Sequence, residues 1–174
     1  MKILNKFAIG ILFFAIIISF IPKKNLYFLA EQYLKEQKVI FTKEMLSDNW
    51  LAFNINSPEI YYEDILVGSV SNIKVLPLIV YNKIELQNGA FSKEIKNFLP
   101  QKIEQFKVTY TPFYPIVAFI DSKGDYGELT GKVYLKERKI SLVLKPASDV
   151  ASKYPMILSK FKKEKDEYIY ESNF

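Results

Sequence analysis

Three places in this chain group residues of types that do chemistry. Glu59, Glu63 and Asp64 stand together in "PEIYYED", where neighbouring carboxylates can share a proton or hold a cation. Asp121 and Asp125 flank "DSKGD", an oxygen-rich spacing of the kind that binds calcium. Gly124, Gly127 and Gly131 punctuate "GDYGELTGKVYL" closely enough to cradle a phosphate. Each has a structural explanation as well. The carboxylates at 59–64 suit a solvated strand face and a turn. Aspartates favour turns because their side chains bond nearby backbone. Glycines this close also mark bulges and tight strand packing.

The residues after the glycines decide between the two for that stretch. A phosphate loop opens directly into a helix N-terminus. Here Lys132, Val133, Tyr134 and Leu135 follow, an alternating run leading through "KERK" to another alternating run. The spacing fits neither G-x-x-x-x-G-K-[ST] nor G-x-G-x-x-G. A strand is expected, with Gly124 in a turn and Gly127 and Gly131 within the strand.

Composition narrows the chemistry further. The 174 residues include no His and no Cys. Histidine- and cysteine-based nucleophilic catalysis is thereby excluded, and a zinc site would need carboxylates alone. We assign no catalytic, cofactor-binding or metal-binding residue, and expect no enzyme. Two other features have a bland and a functional meaning. The mixed run "KFKKEKDE", Lys160–Glu167, suits a solvated helix end or a surface for a partner. Tyr61, Tyr62, Tyr81, Tyr110, Tyr114 and Tyr126 suit half-buried strand positions, the reading preferred, or the lining of an apolar groove.

The formal charge of +5 invites a nucleic-acid partner, but its distribution argues otherwise. Lys2, Lys6, Lys23 and Lys24 flank one apolar run. Setting those four of the 24 basic residues aside leaves 20 against 19 acidic ones. Positive charge at the ends of an apolar run has a membrane role instead. That run, Phe7–Pro22, has 16 residues, no charge and only Ser19 polar. As a helix it reaches roughly 24 Å, slightly short of a ~30 Å hydrocarbon core, a gap that lysine side chains can close. A cleaved signal peptide would need small residues at its exit, where Phe20, Ile21 and Pro22 stand. Residues 1–24 are therefore expected to be an uncleaved anchor.

Asn25–Lys38 reads as a helical stalk, with Leu26, Leu29, Tyr33 and Leu34 near one face. From Val39 to Phe174 a single domain is expected. Period-two runs mark strands in "WLAFNINS", Ile60–Ile65, Ser69–Val75, Leu78–Phe91 with an interruption near Tyr81–Asn82, "FKVTY", "YPIVAFID", "KISLVLKP" and "EYIYES". Helices are expected over Lys93–Gln105, interrupted at Pro100, and over Ser148–Lys162, the latter capped by Ser148 or Asp149. Short spacings between runs argue antiparallel pairing. The fold class is α+β and β-rich: a curved antiparallel sheet with two short helices, behind one membrane helix.

The order of "GDYGELTGKVYL", the strand "ISLVLKP", a helix holding Pro155, Ile157 and Leu158, and "DEYIYE" resembles the C-terminal part of the type II secretion system protein N family. Upstream, "VGSVSNIKVLPLIVYNKIELQNGAF" is similar to the strand–Pro–strand units of AsmA-like proteins. The resemblance implies a single-pass inner-membrane protein with its N-terminus cytoplasmic and its domain periplasmic. It further implies a non-enzymatic accessory of a secretion or export machine, contacting other secretion-system or envelope proteins and no nucleic acid. The second expectation is an envelope lipid-handling protein of the AsmA or lipopolysaccharide-export type. An apolar groove lined by Tyr, Phe and Ile would favour lipid; a flat sheet with a pairable edge strand would favour protein docking.

Overall fold

A computed structural model describes residues 10, 13, 23–78, 80–95, 102–112 and 116–174. Apart from Gly10 and Phe13, the expected anchor at 1–24 lies outside them up to Pro22. No helix among the described residues is long and apolar enough to cross a membrane.

The chain enters through helix α1 (Lys23–Glu36) and then forms strands β1 (Val39–Thr42), β2 (Met45–Asp48), β3 (Phe53–Asn56), β4 (Glu59–Tyr62), β5 (Ile65–Pro77), β6 (Asn82–Phe91), β7 (Lys102–Tyr110), β8 (Val117–Gly124), β9 (Gly127–Tyr134) and β10 (Lys139–Pro146). Two single-turn helices, α2 (Val150–Lys153) and α3 (Pro155–Leu158), precede β11 (Lys162–Glu164) and β12 (Glu167–Asn173). All the strands join one curved antiparallel sheet in the order β1-β4-β5-β6-β7-β8-β9-β10-β12-β11, with β3 beside β5 and β2 beside β3. The order is nearly that of the sequence because the turns are short. The β4–β5 turn is two residues, Glu63 and Asp64, both at positive φ, the twist that a tight hairpin needs.

Strict alternation sorts the two faces. Ile55, Ile73, Leu86, Phe106, Ser122, Leu129 and Leu144 are successive register partners, so they form one row on one face. One position along, Asn54, Lys74, Glu85, Lys107, Asp121 and Thr130 form a polar row on the other. The apolar face carries α1, α2 and α3. Tyr27 of α1 is buried with Phe53, Ile55, Val70 and Ile73; Val150 and Leu158 of α2 and α3 are buried with Leu144. Burying an aliphatic or phenyl side chain this way contributes about 1.5–3 kcal/mol.

A crease crosses the strands on the β1–β7 side. Lys43, Ser57 and Asn88 have φ of 60°, 53° and 53°. Ser57 lies opposite Ser71, whose backbone oxygen accepts from its N–H at 3.0 Å, and Ser71 Oγ donates to the carbonyl of Asn88 at 3.4 Å. Glu104, beyond Asn88, is where the β7–β8 register shifts. Each strand gains one residue of phase here, so Val70 and Ile73, or Ile103 and Phe106, turn the same way though three apart. Outside the crease, Asn72 Nδ2 donates to Asn56 Oδ1 at 2.8 Å, and Asn56 Nδ2 to the carbonyl of Met45 at 3.1 Å.

Several expectations need correction. Lys102–Gln105 belong to strand β7, not to the end of a helix over Lys93–Gln105. Residues 96–101 lie outside the described residues. Ile103 suits a helical period because the irregularity at Glu104 leaves Ile103 and Phe106 on one face though three apart. The helix over Ser148–Lys162 is two short pieces, since Pro155 supplies no N–H to continue the first. Asp149 stands before α2 but makes no side-chain cap; its carboxylate pairs with Lys153. Lys162–Glu167 is a hairpin and not a helix end. Helix α1 matches the expected helix and packs on the sheet through Tyr27.

Candidate functional site

The carboxylate groups singled out in the sequence do not converge. Glu59 accepts from Lys43 Nζ at 2.9 Å and from the Tyr61 hydroxyl at 3.2 Å, and the Lys43 hydrogen bond holds its carboxyl below the usual range. Glu63 pairs with Lys38 instead. Asp121 pairs with Lys107 at 3.1 Å on the polar face, while Asp125 sits in the β8–β9 turn. Among the described residues no three acidic side chains are grouped to hold a metal ion.

The glycines have structural work. A Cβ on Gly124 would lie 2.3 Å from the carbonyl of Lys102, and one on Gly131 would lie 2.4 Å from Leu142 Cδ2. Gly127, at φ +103°, closes the hairpin against the carbonyl of Lys145. Of the two readings of Gly131, a bulge or close packing, the second holds: Gly131 pairs in register with both Ile120 and Leu142 and has no space for a side chain.

What the fold does build is an apolar groove on the helix-bearing face. At one end a cavity of about 340 Å³ lies between α1, through Leu26, Ala30 and Leu34, and the floor residues Ile73, Leu86 and Phe106. At the other a cavity of about 280 Å³ lies between α2–α3, through Val150, Tyr154 and Leu158, and Phe106, Leu129 and Leu144. Phe106 belongs to both. A smaller cavity of about 60 Å³, also on Leu86, Phe91 and Ile103, adjoins both. Helices cover the two ends of the sheet and leave the middle strands open; Ile84, on the floor, is 47% exposed.

The polar groups at the margin already have partners. Lys23 is buried and lies 3.2 Å from Asp48; Glu31 holds Lys35 at 3.0 Å. The Tyr27 hydroxyl donates to Glu44 Oε1 at 3.1 Å, and burial with this carboxylate beside it raises its pKa. Ser122 Oγ donates to the carbonyl of Gln105 at 3.1 Å and pairs with the Tyr126 hydroxyl, which burial pushes up. The floor's own N–H and C=O groups belong to strands paired on both sides. The groove therefore offers contact area and little hydrogen bonding.

Of the six tyrosines considered from the sequence, Tyr126 lines this groove. Tyr62 and Tyr81 are exposed, Tyr61 and Tyr110 are half-buried in strands, and Tyr114 lies outside the described residues. Tyr27 and Tyr154 were missed. The signal for Tyr27 was available: Lys23, Tyr27, Ala30 and Leu34 recur at helical spacing and face the sheet.

Compared with known proteins, the chain matches no family model, no curated protein and no solved structure.

Proposed function

We propose that this chain is a non-enzymatic, membrane-tethered protein that holds the acyl chain of a lipid in the groove between α1, the sheet and α2–α3. The observation that carries this reading is the groove's continuous apolar floor with its marginal polar groups already engaged. An acyl chain has no hydrogen-bonding groups to satisfy, and each methylene removed from water contributes about 0.8 kcal/mol. A peptide strand would leave its N–H and C=O groups unpaired there. The apolar run Phe7–Pro22 supplies the tether, which keeps the groove at high local lipid concentration.

The secretion-accessory reading is less favoured by the sheet's edges. One edge, β1–β2, is bent at Lys43; the other, β11, has three residues, Lys-Lys-Glu. Bent, short and charged edges discourage strand addition.

Photocrosslinking tests the reading. A benzophenone amino acid replaces Phe106 in the full-length chain, and adducts formed in cells are identified by mass spectrometry. Lipid adducts are expected at 106, with none when the same group replaces Phe119 on the opposite face. Adducts with protein alone would favour the docking reading and overturn this one.

A further inference from the structure

Antiparallel order sends alternate turns to opposite ends of the sheet, and the two ends differ. The β2–β3, β5–β6, β7–β8 and β9–β10 connections share one end. Their described residues include Trp50, Leu51, Val80, Tyr81, Ile116 and Leu135, all between 37% and 64% exposed. Lys24, Lys136 and Arg138 accompany them, with Glu137 between the last two. At the other end the β4–β5, β8–β9 and β11–β12 turns carry four acidic residues, Glu63, Asp64, Asp125 and Asp166, and one basic residue, Lys165.

The start of α1 lies at the apolar, basic end. Lys23 Nζ reaches Asp48, the last residue of β2, just before Asn49, Trp50 and Leu51. The uncharged run Phe7–Pro22 leads directly into Lys23.

We propose that this end is a bilayer-docking rim, whose hairpin tips dip into the interfacial layer beside the point where the N-terminal run enters it. The apolar residues sit on separate tips spread along a sheet contour of roughly 30 Å. A broad surface such as a bilayer suits residues spread over this distance better than a single pocket does. Tryptophan and tyrosine favour the membrane–water interface, and lysine and arginine favour anionic headgroups. The inference is independent of the groove's occupant, though the groove reaches Pro77 and Ile84 at this same end.

Two properties of the sequence make the test direct. Trp50 is the only tryptophan, and there is no cysteine. The full-length chain is reconstituted in vesicles of phosphatidylcholine and phosphatidylglycerol, with or without bromine on the acyl carbons nearest the headgroups. Trp50 emission is expected to fall about twofold with brominated lipid, as for an interfacial tryptophan. A fluorophore on Leu135→Cys should fall likewise, and one on Met156→Cys, 70% exposed at the other end, should not change. Replacing Leu51 and Ile116 together by Ser should keep the thermal melt and abolish quenching at Leu135→Cys. Phe106→Asp, which tests the groove, should leave quenching intact. Equal, water-like emission at 50, 135 and 156 would overturn the rim. A blue shift at 50 and 135 without bromine quenching would also overturn it, in favour of a protein surface.

Discussion

Leu86 and Gly89 lie three apart on β6 yet face the same side: a Cβ on Gly89 would stand 3.2 Å from Leu86 Cδ2. Ordinary alternation puts such residues on opposite faces. Asn88, at φ 53°, makes the difference. Asn tolerates this conformation and a β-branched residue does not. Asn88→Val should therefore destabilise the domain by about 1–3 kcal/mol, and Asn88→Gly should be neutral or slightly stabilising. Urea melts compare the three proteins. If Val at 88 melts with the parent, the strand has no need of a left-handed residue there.

The glycines of the β8–β9 hairpin should differ in tolerance. At Gly124 an added Cβ meets the carbonyl of Lys102 at 2.3 Å and the Tyr126 ring at 2.8 Å. At Gly131 its nearest neighbour, at 2.4 Å, is a leucine methyl, which can rotate away, and the backbone approaches less closely, with the Ser141 carbonyl at 2.9 Å. Gly124→Ala should cost about 2–3 kcal/mol, and Gly131→Ala about 1 kcal/mol. The reverse order in thermal or denaturant melts would contradict the hairpin's described packing.

Tyr27 fixes α1 to the sheet in two ways. Its ring meets Phe53 at 5.6 Å between centroids, and its hydroxyl donates to Glu44. Tyr27→Phe should keep the first and lose about 1 kcal/mol with the second. Tyr27→Ala should cost about 3–5 kcal/mol. Because the bond is shared, Glu44→Gln should add less on Tyr27→Phe than on the parent. Full additivity in denaturant melts would mean the hydroxyl and carboxylate are not coupled.

Glu85 lies on the polar face with its carboxylate held by Lys83 first, then by Gln87 and by Gln105 at 2.7 Å. These hydrogen bonds lower its pKa from 4.5 to about 2. The folded value lies below the unfolded one, so its contribution is complete above about 4.5 and fades as pH falls toward 2. Glu85→Gln should flatten that part of the stability–pH curve relative to the parent. An unchanged acid slope in the variant would remove Glu85 from the account.

The sheet was legible because its code is local. Alternation in "WLAFNINS", "FKVTY" and "KISLVLKP" names the residues that the structure buries at Phe53, Ile55 and Leu144. The break at Tyr81–Asn82 followed from polar residues between apolar runs, and β6 begins at Asn82. The crease was not legible. Lys43, Ser57 and Asn88 are ordinary residues for a strand's exposed side, and their common line exists only once register places them side by side. The same holds for the groove. Leu86, Phe106 and Leu129 are far apart in the chain, and each alone is one more inward strand residue. The sequence likewise could not separate Glu59 from Glu63, because the lysines that engage them come from the bend between β1 and β2 and from the turn after α1.

The place of β12 bears on how the protein is made. From β3 to β10, each new strand pairs with at least one already synthesised, so the sheet can grow as the chain emerges. Then the order changes: β10 finds its second neighbour in β12, with β11 beyond it. The edge of β10 must therefore wait unpaired while α2, α3 and β11 are produced. Nascent chains halted before Glu167 should be the aggregation-prone species, and a ribosome-associated chaperone would act over that interval.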